Sequence, residues 1–293
     1  MAYINGQSVL FSANVSTGNI ENLMDGEALD SIVQRTSDNE TGKEQPKATG
    51  TGSSAFGRFN EAHGKCSMAV NYDNVVNGTY SFACCHHNEV NGDNAFASGY
   101  KNFANGNWAA ANGVETEASG NASFTHGEKT IASGAHSYAG GKNTEASGAQ
   151  SHAEGLDAKA TGIQSHAEGV GTKATAARSH AEGGQTTASG EYSHAEGRQT
   201  TSSGANSHAG GYMSESFGNS SFAHGYAVQT NNNYQAAFGN YNKPEQTAVF
   251  MIGYGSATAR KNVFTVYRDG TIKIGDTTIT ETQLQKLLTL IAE

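Results

Sequence analysis

The residues best suited to chemistry stand in two columns. His152, His166, His180 and His194 recur every fourteen residues, each inside the pentapeptide Ser-His-Ala-Glu-Gly, and each is followed two positions later by Glu154, Glu168, Glu182 or Glu196. His208 extends the series in Ser-His-Ala-Gly-Gly. Imidazole is a common metal ligand, so symmetry copies of such a column could hold a metal on an axis. The alternative is structural: a ladder of His–Glu hydrogen bonds that fills an interface with satisfied polar groups. Repetition favours the ladder, because a catalytic or metal site needs one asymmetric constellation and identical rungs are a building device. The expectation is therefore no cofactor and no metal, with His152, His166, His180, His194 and His208 as the only candidate axial ligands. In a buried ladder, protonation below the solution pKa of about 6.5 changes the charge of the interface. The neighbouring Glu and the burial act in opposite directions, so the sign of the pH dependence stays open.

These columns belong to a repeat that runs through most of the chain. The unit is seven residues, Ser/Thr-x-Ala-x-Gly-x-x, and it occurs 27 times without insertion from Ser53 to Gly239. Gly fills the fifth position in 23 units, the exceptions being Asn71, Cys85, Ala176 and Asn232, and Ala fills the third in 21. A glycine every seven residues, with Ala as the regular apolar position, leaves an α-helix weak and without a seam, which excludes a coiled coil. Collagen needs Gly at every third residue and is excluded as well. What remains is a parallel β-solenoid, or β-roll. Each unit is a short strand and a turn whose Gly, or Asn71 or Asn232, takes a positive φ, and two units make a 14-residue coil.

Alternation along a strand puts positions one, three and five on one face and positions two and four on the other. The first set is small throughout, so it lines a thin interior, and the larger residues point out. One outward sheet carries Phe82, Phe96, Phe124, Tyr138, the His/Glu rungs and Phe222. The other carries mainly Glu and Lys, such as Glu117, Glu145, Lys159 and Lys173. A line of exposed aromatics on a roll with so little core is an interaction surface, and cyclic symmetry would bury it against copies of the same chain. Fourteen strands spaced by roughly 4.8 Å would make a rod on the order of 65 Å long.

Composition agrees with a repeat and restricts the partners. The 293 residues include 37 Gly and 2 Pro, and only 36% are hydrophobic, too few for a single large apolar core. A formal charge of −9 without a basic cluster disfavours nucleic acid, and no apolar run approaches the roughly 20 residues of a membrane span. The N-terminal residues have neither a positive n-region nor an apolar h-region, so Sec-type export is not expected. Cys66, Cys84 and Cys85 match no metal-binding spacing.

The Ser-x-Ala-x-Gly pattern with its 14-residue double unit resembles the head repeats of trimeric autotransporter adhesins. The Ser-His-Ala-Glu-Gly arrays resemble still more closely those of bacteriophage tail and virion fibre proteins. The likeness covers about residues 53–239. It implies a left-handed parallel β-roll that trimerises along its length. The absent export signal and membrane-barrel anchor favour the phage family over a bacterial surface adhesin. The expected function is a non-enzymatic, homotrimeric fibre or fibre-like appendage of a phage or phage-derived particle. It would be located in the virion and used for host-surface attachment through a glycan or protein receptor. A polysaccharide-degrading tailspike is the less favoured alternative, since such enzymes use longer coils with loop insertions that form a groove. No Ser-His-Asp order, P-loop or dinucleotide-binding fingerprint appears.

Three domains are expected. Residues 1–52 form an N-terminal attachment or capping module that docks to other virion proteins. Within it Ile20, Leu23, Met24, Leu29, Ile32 and Val33 lie at near-helical spacing, and 39–52 read as a linker or irregular cap. Residues 53–239 form the roll. Residues 240–293 hold strands at 248–254 and 262–267, a turn at Asp269-Gly270, and a helix opened by a Thr280-x-x-Gln283 capping box. Leu284, Leu287, Leu288 and Ile291 form that helix's apolar stripe, which three copies would bury on an axis. Folding back onto the chain's own hairpin is the alternative. The expected trimer interface is Phe82, Phe96, Phe124, Tyr138, the five His, Glu154, Glu168, Glu182, Glu196, Phe222 and this stripe.

Overall fold

A computed structural model describes residues 46–292 and, nearer the N-terminus, the backbone of strands Ala2–Ile4, Gln7–Val9, Leu23–Asp25 and Ile32–Gln34. The chain divides into two compact units, residues 1–128 and 129–293. Both are built on a parallel β-solenoid with 14-residue coils.

In each unit, every coil contributes one strand to each of two sheets. In the first unit the long strands run from Ser54–Arg58 to Phe124–Glu128 and the short ones from Lys47–Ala48 to Glu117–Ala118. In the second unit the long strands run from Tyr138–Lys142 to Ala236–Asn240 and the short ones from Ile131–Ala132 to Gln229–Thr230. Pairing is parallel and in strict 14-residue register: Ala153 opposes Ala167, and Ala167 opposes Ala181. Most rungs stack a small residue on an identical one, so no register shift is needed to keep the interior filled.

The interior is the Ala column. Ala153, Ala160, Ala167, Ala174 and Ala181 are fully buried, and so are Ala55, Ala62, Ala69 and Ala83 in the first unit. Position one explains the preference for Ser. The Ser165 hydroxyl donates to the Gly162 carbonyl at 2.7 Å, and Ser67 does the same to Gly64 at 2.7 Å. These two buried hydroxyls are thus satisfied within their own turns.

Glycine is required for two different reasons. In the long-strand series it adopts the left-handed region, as at Gly155 with φ +116°, and Asn71 follows at +83°. In the short-strand series φ is ordinary, and Asn232 with its normal φ departs from the sequence expectation. There the cause is proximity: a β-carbon on Gly148 would lie 1.9 Å from the carbonyl oxygen of Gly162, one coil on. A second left-handed position, unmarked by glycine, recurs at the seventh residue of each unit, for example Gln150 (+57°), Asp157 (+56°) and Gln164 (+57°).

Three sequence expectations at the ends are corrected. Leu23–Asp25 and Ile32–Gln34 are antiparallel strands, not helix, and Ile32–Gln34 pairs in parallel with Ser54–Phe56. The apolar residues at 32–33 therefore serve a strand that caps the sheet edge, which alternation over so few residues could not distinguish from helical spacing. Ile20 and Leu29, and residues 39–45 of the expected linker, lie outside the described residues. Lys47–Ala48 is a strand of the roll, with Ala48 buried and paired to Ala62. The pairing also passes Gly239: Phe250 to Tyr254 lie in register with Ala236 to Asn240, and Met251 takes the buried third position.

Beyond the roll, Ala248–Tyr254, Asn262–Tyr267, Ile272–Ile274 and Thr277–Ile279 form an antiparallel meander. Gly270, at φ +82°, closes the hairpin turn, and Asp269 accepts the Thr271 amide at 3.0 Å. The helix Glu281–Ala292 follows. Its capping box is formed as expected, with Gln283 Oε1 accepting the Thr280 amide at 2.9 Å and Thr280 Oγ1 accepting the Gln283 amide at 3.3 Å. Among the described residues, no helix is long and apolar enough to cross a membrane.

Candidate functional site: a histidine and glutamate ladder

In the second unit the long-strand sheet turns positions two and four outward. Position two stacks Tyr138, His152, His166, His180, His194, His208 and Phe222 into one column of rings. Centroids are 4.4 Å apart for Tyr138 and His152, 4.7 Å for His166 and His180, and 4.5 Å for His208 and Phe222. That separation is the strand spacing itself, so the ladder is a direct consequence of a 14-residue coil. The His180 and His194 rings are nearly parallel, at 8°. His208 leaves that orientation, standing at 87° to His194 and 7° to Phe222.

The carboxylates of position four lie beside the rings. His152 Nε2 is 3.3 Å from Glu154, and His166 and His180 are each 3.8 Å from the Glu of their own coil. Higher in the ladder the pairing changes partner. His194 lies 3.6 Å from Glu182, and His208 lies 3.4 Å from Glu196, in each case the carboxylate of the preceding coil. Apart from His152, these separations lack hydrogen-bond alignment. The Nε2 atoms of His180, His194 and His208 are shielded from solvent and have no hydrogen-bond partner. The ladder that the sequence suggested as hydrogen-bonded is so only at His152.

Burial dominates the electrostatics. His166 is held below the ordinary imidazole range by desolvation first and then by His152 and His180, against the opposing pull of Glu168 and Glu182. His180 is lowered by burial and His194, and His208 by burial and then His194. The direction left open by the sequence is thus downward for His166, His180 and His208. A cavity of about 390 Å³ runs along the face between Glu168, Glu182, Glu196 and the glycines Gly169, Gly183 and Gly197.

The remaining expected interface residues fall into separate groups. In the first unit Phe82 and Phe96 stack at 5.7 Å, and Phe124 stands in the same outward position of its own rung, paired to Ala110. On the C-terminal helix Leu287, Leu288 and Ile291 are 56%, 55% and 75% exposed, and Leu284 is partly so. Their own hairpin does not cover them.

Sequence reasoning missed two features. The first is a ladder of buried Asn in the first unit: Asn74 donates to Asn60 Oδ1 at 3.1 Å, Asn88 to Asn74 at 3.0 Å and Asn102 to Asn88 at 2.9 Å. Asn at four successive positions fourteen residues apart was the available signal. The second is His224, whose Nδ1 lies 3.8 Å from Glu196 Oε1 across two coils. Cys84 and Cys85 are free thiols, and burial together with Cys85 pushes Cys84 up to about 11, which leaves it a poor nucleophile.

Fold and face together define a β-solenoid repeat protein with a small-residue interior and an outward ring-and-carboxylate ladder. No protein-family model matches the chain, and no curated protein matches it.

Proposed function

We propose that the chain is a homotrimeric structural fibre, or fibre-like appendage, of a phage or phage-derived particle, serving extension and host-surface attachment. The observation that carries the trimer is the exposed apolar helix Glu281–Ala292. A 12-residue helix is marginal alone in water. Exposing Leu287, Leu288, Leu290 and Ile291 on it makes sense only if other copies cover them. The ring column supports the same arrangement, since three copies about an axis would bury it. The likeness of the Ser-His-Ala-Glu-Gly arrays to phage fibres supports the placement on a particle. The repeated geometry supports a mechanical role in preference to catalysis.

The test is the solution mass of the purified chain by light scattering, with circular dichroism on the same sample. A mass near three times 30.5 kDa with a β-rich spectrum is expected. A monomer would overturn the trimer. Binding of the labelled trimer to bacterial cells then tests attachment, and a trimer that binds none of a panel of hosts would reduce the role to that of a spacer.

A further inference from the structure

The ladder ends in a rung unlike the others. Position four is Glu in the coils of His152, His166, His180 and His194. It is Gly210 in the coil of His208, and His224 in the next. Gly210 and His224 are paired in register. A β-carbon on Gly210 would fall 2.3 Å from His224 Nδ1 and 3.0 Å from Glu196 Oε1. The glycine therefore opens the space through which an imidazole reaches a carboxylate two coils earlier. The backbone pairing continues through this place, with Glu196 N donating to Ala209 O at 2.9 Å and Arg198 N to Gly211 O at 2.8 Å, so the change is confined to the side chains.

Three donor atoms converge there. Glu196 Oε1 is 3.4 Å from His208 Nε2 and 3.8 Å from His224 Nδ1, and all three lie within 4.8 Å of one another. Metal–nitrogen and metal–oxygen bonds of about 2.0–2.2 Å set ligand atoms roughly 3.3 Å apart around a tetrahedral ion, so a small inward movement completes the geometry. The His208 nitrogen is shielded from water and lacks a hydrogen-bond partner. Its ring is already turned out of the His194 stack. An asymmetric constellation at one point of a repeating column is what distinguishes a site from a ladder.

We propose that Glu196, His208 and His224 form a divalent transition-metal site, one per chain. Two imidazoles and one carboxylate suit Zn²⁺, Co²⁺ or Ni²⁺ and disfavour Ca²⁺ and Mg²⁺, which take oxygen ligands. Water completes the coordination, since His224 and Glu196 are partly exposed. The ion would tie three successive coils together through their side chains, and would stabilise the folded chain by mass action.

The full-length protein, purified without a polyhistidine tag and stripped with EDTA, is titrated with Zn²⁺ by calorimetry and with Co²⁺ by visible absorption. One ion per chain and a raised thermal midpoint are expected. His224→Gln and Glu196→Gln each weaken binding by at least about tenfold. Gly210→Ala, which keeps all three ligands but blocks their approach, weakens it too, while His136→Gln on an outer turn leaves it unchanged. Unaltered circular dichroism shows that the variants are folded. No binding at submillimolar Zn²⁺, one ion per three chains, or binding that survives His224→Gln but is lost in His194→Gln would each overturn the site.

Discussion

His194 pairs backwards: its Nε2 lies 3.6 Å from Glu182 in the preceding coil, whereas His166 lies 3.8 Å from Glu168 in its own. One carboxylate, Glu182, therefore serves both His180 and His194, and the ladder has fewer close partners than rings. Column neighbours of like kind and partial burial then outweigh the acids.

That balance fixes the sign of a pH effect. His166, facing His152, His180, Glu168 and Glu182, has its folded pKa below the unfolded value of about 6.5, and so has His180. A lowered imidazole contributes stability that is fully present above about pH 6.5 and is lost as pH falls through the folded value, because the unfolded chain binds more protons. In the presence of EDTA, the thermal midpoint should be flat from pH 8 to 7 and decline between about pH 6.5 and 5. Substituting both His166 and His180 by Gln should flatten that decline. A midpoint that rose on acidification would contradict the assignment.

Ala167 is fully buried between Ala153 and Ala181. Ala167→Phe should abolish the fold, since overpacking costs about 1–3 kcal/mol even in cores that can relax, and here each neighbour is another coil. The check is loss of β-sheet dichroism and of protease resistance. A folded variant would reverse the assignment of inside and outside.

Backbone conformation predicts opposite effects at two neighbouring turns of the first unit. Gly113 stands at φ +126°, with Gly127 O only 2.1 Å from where a β-carbon would be, so Gly113→Ala should lower the thermal midpoint. Ala122 is held at φ +53°, so Ala122→Gly should relieve strain and stabilise by about 1 kcal/mol. Denaturant midpoints of the two variants should move in opposite directions.

The Asn88 backbone amide donates to Asn74 Oδ1 at 2.9 Å, its side-chain NH2 donates to Cys84 O at 2.7 Å and to Gly99 O at 3.0 Å, and its Oδ1 accepts the Asn102 amide at 3.0 Å. Asn88→Ala strands buried partners and should cost about 1–3 kcal/mol in chemical unfolding. Asn88→Thr should cost less, because Thr116 already ends the ladder by donating to Asn102 Oδ1 at 2.8 Å.

If the C-terminal helix holds copies together, Leu287→Glu with Leu288→Glu should lower the solution mass and leave the dichroism of the roll intact. Trimers that persist would shift the association to the ring column.

The roll was legible because its repeat is strict: small residues at alternate positions without insertion dictate the interior, the outward columns and the 14-residue coil. The terminal boundaries were not, because Lys47–Ala48 and Phe250–Tyr254 keep the backbone register after the side-chain pattern has faded. The reason for glycine also lies in the tertiary structure. A repeated Gly reads as a turn residue, but at Gly148 it answers to a carbonyl oxygen fourteen residues away. Likewise, four identical Ser-His-Ala-Glu-Gly rungs predict identical environments. Tertiary structure made them unequal, since ring orientation and carboxylate partner depend on the coils above and below. A single glycine, Gly210, lets His224 reach Glu196, a meeting over 28 residues that follows from the open space between coils and from no local pattern.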